Sequence, residues 1–190
     1  SLSTVFRSAG DNLVRAAGPT YVASVERAVA VLQQALAADH RVLVFGNGGS
    51  ASDALHIAAD LVGRFERDRA PLPVIALTSN QAVLTAWSND HEFDTVFARQ
   101  LEALGRPGDV AWGISTSGNS SNVVRGLQRA RELGLHTIGL TGADGGRAAE
   151  WFDVLMAAPA TETPRIQEGH GVTYHAICAE LEQRLFGHAP

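Results

Sequence analysis

Five short apolar segments that alternate with helical stretches constrain the fold of this chain more than any other feature. Each segment is rich in β-branched residues and ends near small or polar ones, whereas the stretches between them have helical character. The alternation predicts an α/β fold with a five-stranded parallel sheet that is flanked by helices on both faces. The five segments are RVLVFG, PVIALTS, DVAWGISTS, HTIGLTG and FDVLMAAP.

Helices are predicted before and after this alternating region. The first forty residues are predicted to form two helices, in the second of which Val22, Val25 and Val29 recur at spacings of three and four. A long C-terminal helix is predicted over residues 164–186. We therefore expect a single domain over residues 1–190, with the helical pair in residues 1–40 contributing to an oligomer interface.

Charge and cysteine content limit the partners and the compartment. The formal net charge is −5, which argues against a nucleic-acid binder that relies on a basic surface. The one cysteine, Cys178, cannot form an intrachain disulfide and indicates a reducing compartment. No apolar run approaches the roughly 20 residues of a membrane span. We expect a cytoplasmic protein that binds neither nucleic acid nor membrane.

Two loops rich in glycine and hydroxyl side chains follow the first and third predicted strands. They are GNGGSAS (Gly46–Ser52) and STSGNSSN (Ser115–Asn122). Ligands of open parallel sheets bind beyond the carboxyl ends of the strands, and helix N-termini favour anions. No Walker lysine follows, and the glycine spacing is not that of a dinucleotide site. The loops therefore indicate an anion other than a nucleoside triphosphate.

Helix capping is the competing interpretation of these loops. Ser50 and Ser120 both suit an N-cap, which contributes about 1 kcal/mol to helix stability. The second loop, however, places four hydroxyls within six residues, at Ser115, Thr116, Ser117 and Ser120. Two such loops at the carboxyl ends of strands favour an anion site, and the second loop is the better candidate for a phosphate.

His56 and Asp60 lie four residues apart on the helix that follows the first loop. This spacing places both side chains on one helix face, about one turn apart, as a metal-binding pair or an acid/base pair requires. A surface His–Asp pair without a function has the same spacing. The residues alone leave these alternatives open.

Four motifs carry a resemblance to a known family: GNGGSASDALHIAADLVGRF, GISTSGNSSNVVRGL, TIGLTGADGG and RIQEGHGVTYHAIC. Together they resemble the sugar isomerase (SIS) fold and, within it, the phosphoheptose isomerase family. The resemblance covers nearly the whole chain. It implies a three-layer SIS-type sandwich and an enzyme that converts D-sedoheptulose 7-phosphate to D-glycero-D-manno-heptose 7-phosphate through an enediol. It also implies a homotetramer with sites at subunit interfaces, one zinc ion per subunit, and a role in heptose and lipopolysaccharide biosynthesis.

The resemblance implies roles for individual residues. His56, Asp60, Gln167 and His175 would hold the zinc ion, with Asp60 as the catalytic base and His175 as its proton-transfer partner. The family has glutamate where this chain has Asp60, and a shift of about 1.5 Å in a catalytic group can cost about a hundredfold in rate. Gln167 and His175 lie about 12 Å apart along a helix. One metal therefore contacts both only if the side chains lean together or another subunit contributes.

Contacts to the phosphorylated seven-carbon sugar are implied in both loops and in the Asn-Asp pair that follows QAVLTAWS. An Asn-Asp pair is also common in caps and turns. The implied set is Asn47, Gly48, Gly49, Ser50, Asp60, Asn89, Asp90, Ser115, Thr116, Ser117, Ser120 and Gln167.

Two other functions stay open on the sequence. The DnaA-initiator-associating protein of bacteria is similar over the same length, and RFERDRAPLPVIAL resembles it as closely as it resembles the isomerases. That protein binds protein partners and lacks the catalytic carboxylate and the final histidine, which this chain has as Asp60 and His175. The other alternative is an SIS isomerase that acts on a different sugar phosphate.

Overall fold

A five-stranded, wholly parallel sheet forms the centre of the molecule in the computed structural model, which describes residues 1–187. The strand order is β2-β1-β3-β4-β5, and each of the five predicted segments contributes one strand, so the predicted sheet is confirmed. The strands are β1 (Val42–Gly46), β2 (Val74–Ala76), β3 (Val110–Ser115), β4 (His136–Thr141) and β5 (Val154–Ala157).

Seven α-helices surround this sheet within residues 1–187. Short 3-10 helices at Phe93–Thr95 and Gly146–Trp151 complete the described elements. The predicted N-terminal pair and the long C-terminal helix are both present. The α-helices are α1 (Leu2–Ala16), α2 (Pro19–Ala37), α3 (Gly49–Val62), α4 (Gln81–Asp90), α5 (Val96–Leu104), α6 (Ser121–Glu132) and α7 (Thr163–Phe186).

The strands are apolar along their whole length because both faces of the sheet are covered. In β1, Val42 and Val44 face a core formed with α2, α3 and α7. Leu43 and Phe45 face a second core formed with α5 and α6. The result is a three-layer sandwich, and it places α3 and α7 together on one face of the sheet.

The N-terminal helices leave apolar surface uncovered in a single chain. Leu2, Val5 and Phe6 on α1 are largely exposed. A groove of about 400 Å³ with mostly apolar walls runs between α1, α2 and α7. In the part of the chain that the structure describes, no helix is both long and apolar enough to cross a membrane.

Candidate active site

The two predicted anion-binding loops lie side by side at the carboxyl edge of the sheet. They follow β1 and β3, the neighbouring strands between which the order of the sheet reverses. This reversal opens the crevice in which doubly wound sheets bind ligands. Asn47 and Asn122 join the loops, since each side-chain amide donates to the carbonyl oxygen of the other, at 2.8 and 2.9 Å. Asn122 is buried, and nothing in the sequence indicated a role for it beyond its place at the end of the second loop.

We call residues 115–120 the hydroxyl loop, because four of these six residues carry hydroxyl side chains. Ser115 Oγ lies 3.2 Å from Ser120 Oγ. Ser120 occupies the N-cap position of α6 but makes no side-chain capping hydrogen bond. Gly48 is the N-cap of α3, so Ser50 lies within the first helical turn. The predicted N-cap is thus wrong for Ser50, whereas Ser120 is at the predicted N-cap position without making the capping hydrogen bond. The first amides of α6 therefore have no capping side chain and are available to an anion.

The segment 142–148 holds the hydroxyl loop in place through hydrogen bonds. The Gly142 N–H donates to the Thr116 carbonyl at 2.9 Å, and the Ala148 N–H donates to the Gly118 carbonyl at 2.8 Å. The Arg147 guanidinium donates to the carbonyl of Asn119 at 2.7 Å, which places a positive charge at the edge of the loop. Arg147 is not recognisable from the sequence as part of this site, because it lies outside the loop that it supports.

His56, Asp60 and His175 form one cluster between α3 and α7. One donor atom from each residue lies within 4.8 Å of the other two. The distance from His56 Nε2 to Asp60 Oδ2 is 3.6 Å. The rings of His56 and His175 meet edge to face, with centroids 5.0 Å apart.

The donors of this cluster fit a divalent metal. Asp60 Oδ2 is buried and has no hydrogen-bond partner among the described residues. A buried carboxylate oxygen normally has a partner, so an additional group is expected to complete its surroundings. Two imidazoles and a carboxylate suit zinc, although other divalent ions accept the same set.

Three aromatic or acidic side chains that the sequence did not single out surround the cluster. The Tyr174 hydroxyl lies 3.1 Å from His56 Nδ1, which leaves His56 Nε2 directed towards Asp60. Burial, together with Asp53 and Asp60, raises the pKa of Tyr174 to about 12. Burial raises the pKa of Asp53 to about 6, and nearby His56 opposes this rise. The Phe65 ring stacks on His175, with centroids 5.5 Å apart.

Gln167, Asn89 and Asp90 lie away from the cluster in a single chain. The side-chain amide of Gln167 lies directly against Gly49 at the start of α3, about two helical turns from His175. Asn89 and Asp90 are the last residues of α4 rather than the residues that follow it, and their side chains hydrogen-bond to each other at 2.9 Å. Because α4 packs on the opposite face of the sheet from α3 and α7, this pair is separated from the cluster by the sheet.

The fold and the paired loops define the class of protein: this is a member of the SIS domain family, whose sequence profile matches residues 6–142. A phosphoheptose isomerase of Crocosphaera subtropica is 50% identical over 177 residues, covering 93% of this chain and 90% of that protein. One from Geotalea daltonii is 55% identical over 159 residues, covering 84% of this chain and 83% of that protein. The chain belongs to the phosphoheptose isomerase family.

Structural similarity agrees with this assignment. The phosphoheptose isomerase GmhA from Neisseria gonorrhoeae superposes with a TM-score of 0.91 at 40% identity, covering 96% of this chain and 97% of that chain. A phosphoheptose isomerase from Francisella tularensis superposes with a TM-score of 0.90 at 33% identity, over 96% of each chain.

Proposed function

We propose that this chain interconverts D-sedoheptulose 7-phosphate and D-glycero-D-manno-heptose 7-phosphate. Membership of the family supports an isomerase of phosphorylated heptoses, and the hydroxyl loop supplies an anion site of suitable chemistry. The observation that carries the proposal is the convergence of His56, Asp60 and His175, with one donor atom from each within 4.8 Å of the others. Aldose–ketose isomerisation requires a base, an acid and stabilisation of an enediolate, and this cluster offers groups for all three.

Asp60 is the base in this proposal. Its carboxylate removes a proton from the carbon next to the ketose carbonyl, and the electron pair of that C–H bond forms the double bond of the enediol. Asp60 then returns a proton to the former carbonyl carbon, while His175 moves a proton between the two oxygens.

A divalent cation bound at the cluster supplies charge stabilisation for the enediolate. We propose one zinc ion per subunit, held by His56, Asp60 and His175. Gln167 stays a predicted fourth ligand. Its position against Gly49 requires a change of side-chain rotamer, or a contribution from another subunit, before it joins this set.

The phosphate group is assigned to the hydroxyl loop. Ser115, Thr116, Ser117 and Ser120 donate hydroxyl hydrogen bonds, and the amides at the start of α6 and Arg147 add positive potential. The loop after β1 (Asn47, Gly48, Gly49 and Ser50) is assigned to the sugar. Asn89 and Asp90 are assigned to it as well, and because the sheet separates them from the cluster of their own chain, this contact requires another subunit.

We further propose a homotetramer with composite sites. In this assembly, one sugar contacts the hydroxyl loop of one subunit and the metal cluster of another. The exposed apolar surface of α1 supports a role for residues 1–40 in this assembly, within a single domain over residues 1–190. We place the enzyme in the cytoplasm, in heptose and lipopolysaccharide biosynthesis.

The test is turnover of D-sedoheptulose 7-phosphate by the zinc-loaded protein, followed by NMR. Asp60→Asn and His175→Ala should each lower kcat by at least about a hundredfold, as expected for loss of an acid or base. His136→Ala removes an exposed histidine and serves as the matched control, with unchanged turnover expected. No turnover by the wild type, despite binding of the sugar phosphate, would contradict the proposal and favour another sugar or a non-catalytic role.

A further inference from the structure

We propose that Arg69 and Glu182 are positioning residues that set the distance between Asp60 and His175. Neither side chain belongs to the cluster. Arg69 lies in the segment that follows α3, and Glu182 lies on α7. The inference rests on the proposed function only for the use of a metal at the cluster, and it does not depend on which sugar is isomerised.

Arg69 and Glu182 form a buried ion pair. Arg69 Nε donates to Glu182 Oε1 at 3.0 Å, and the two side chains are 2% and 1% exposed. A buried pair of this kind is stable only if further hydrogen bonds satisfy the remaining polar atoms of both partners. Here these further hydrogen bonds connect the ion pair to the backbone of Asp60 and to the loop that contacts His175.

The Arg69 side of the pair holds the backbone of Asp60. Its Nη2 donates to the carbonyl of Asp60 at 2.8 Å, and its Nη1 donates to the carbonyl of Leu61 at 2.7 Å. The last carbonyls of a helix have no partners within the helix, so the guanidinium caps the C-terminus of α3. The backbone from which the Asp60 carboxylate extends is therefore fixed to Arg69.

The Glu182 side of the pair holds the loop that contacts His175. Glu182 accepts hydrogen bonds from the backbone N–H groups of Phe65, Glu66 and Arg67 at 3.0, 2.9 and 2.9 Å. Burial would raise the pKa of Glu182, but these three donors and Arg69 outweigh it and lower the pKa. The fixed loop keeps the Phe65 ring stacked on the imidazole of His175, with an interplanar angle of 23°.

The two sides together determine the geometry of the donor set. α3 carries His56 and Asp60, α7 carries His175, and the ion pair is anchored to both helices. Residues that do not bind a metal themselves but orient its ligands commonly change metal affinity by about 10- to 100-fold when they are mutated. The short side chain of Asp60 has less reach than a glutamate, so its distance to His175 depends more strongly on where the backbone is held.

The test compares zinc affinity with phosphate affinity in Arg69→Lys and Glu182→Gln. Zinc affinity is measured by competition with a chromophoric chelator, and inorganic phosphate affinity by calorimetry. We expect zinc affinity to fall by about 10- to 100-fold while phosphate affinity is unchanged, because the hydroxyl loop lies at the opposite end of α3. In turnover assays, kcat should fall and KM should stay the same. Glu180→Gln is the matched control, since it breaks the exposed pair with Arg184 on the same helix.

Phe65→Leu provides a variant that leaves the ion pair intact if the other two fail to fold. It removes the ring stacked on His175, so zinc affinity should fall while phosphate affinity stays unchanged. Unchanged zinc affinity in every folded variant would overturn the inference, as would parallel losses of zinc and phosphate affinity. A wild type that binds zinc but does not isomerise the heptose phosphate would contradict the proposed function alone, and the zinc measurements would still decide the inference.

Discussion

Acid should destabilise the folded protein through His170. This residue is completely buried on α7, where its Nε2 hydrogen-bonds to the Thr141 carbonyl at 3.0 Å. Its Nδ1 is buried and has no partner among residues 1–187, so a proton added there would be buried without compensation. Burial accordingly lowers the pKa of His170 to about 4, despite the opposing effect of the Thr141 carbonyl.

The size and sign of the effect follow from linkage. In the unfolded chain the pKa of His170 returns to about 6.5. Below that value the unfolded state binds a proton that the folded state does not, so the free energy of unfolding falls as the pH falls. The loss from this one residue is about 2 kcal/mol at about pH 5, and it approaches about 3 kcal/mol near pH 4.

Urea unfolding at fixed protein concentration measures this effect. Wild type and His170→Gln are compared at about pH 7.5 and about pH 5, with a chelator present so that metal release does not contribute. Glutamine keeps an N–H donor for Thr141 but does not titrate. The pH-dependent loss should therefore be about 2 kcal/mol smaller in His170→Gln. His136→Gln, at an exposed position, should keep the wild-type dependence. Equal losses in wild type and His170→Gln would refute the reasoning.

Three further predictions concern the loops and the cluster. Gly118→Ala should destabilise the protein by about 1–3 kcal/mol, because Gly118 has φ +63° and a Cβ there overlaps the Gly145 carbonyl; an unchanged urea midpoint would contradict this. Asn122→Ala removes the amide partner of Asn47, so phosphate binding measured by calorimetry should weaken by about tenfold, and wild-type affinity would show that the pair does not fix the loops. Chelation should abolish turnover and zinc should restore it. Zinc should also raise Tm in the wild type by mass action but not in Asp60→Asn, and an equal rise in both would exclude Asp60 as a ligand.

The architecture could be predicted because its signals are local in the chain. β1 is uniformly apolar since Leu43 and Val44 face different cores, and a glycine-containing loop follows it directly. The spacing of His56 and Asp60 likewise placed two members of the cluster on one helix face. His175 was predicted as the third member only from the family resemblance, because nothing in the neighbouring sequence distinguishes it from an ordinary core histidine.

The supporting contacts could not be predicted, because they depend on how distant segments pack. Arg69 and Glu182 are separated by 113 positions, and neither stands in a pattern that indicates a buried ion pair. Ser120 has the residue type and position of an N-cap, yet its hydroxyl lies beside Ser115 instead. The hydrogen bond between Asn122 and Asn47 could not be predicted either, since the two residues lie on different loops.

Proton transfer by Asp60 is the central claim, and isomerisation in D₂O tests it most directly. Zinc-loaded wild type and Asp60→Asn are incubated with D-sedoheptulose 7-phosphate, and the aldose phosphate is examined by NMR for deuterium at C2. The wild type should form the aldose and incorporate deuterium there, because the proton passes through a carboxylate that exchanges with solvent. Asp60→Asn should form no detectable aldose. Equal turnover by Asp60→Asn would contradict the assignment of Asp60 as the base, and aldose that never acquires deuterium would contradict a transfer in which the carboxylate exchanges with solvent.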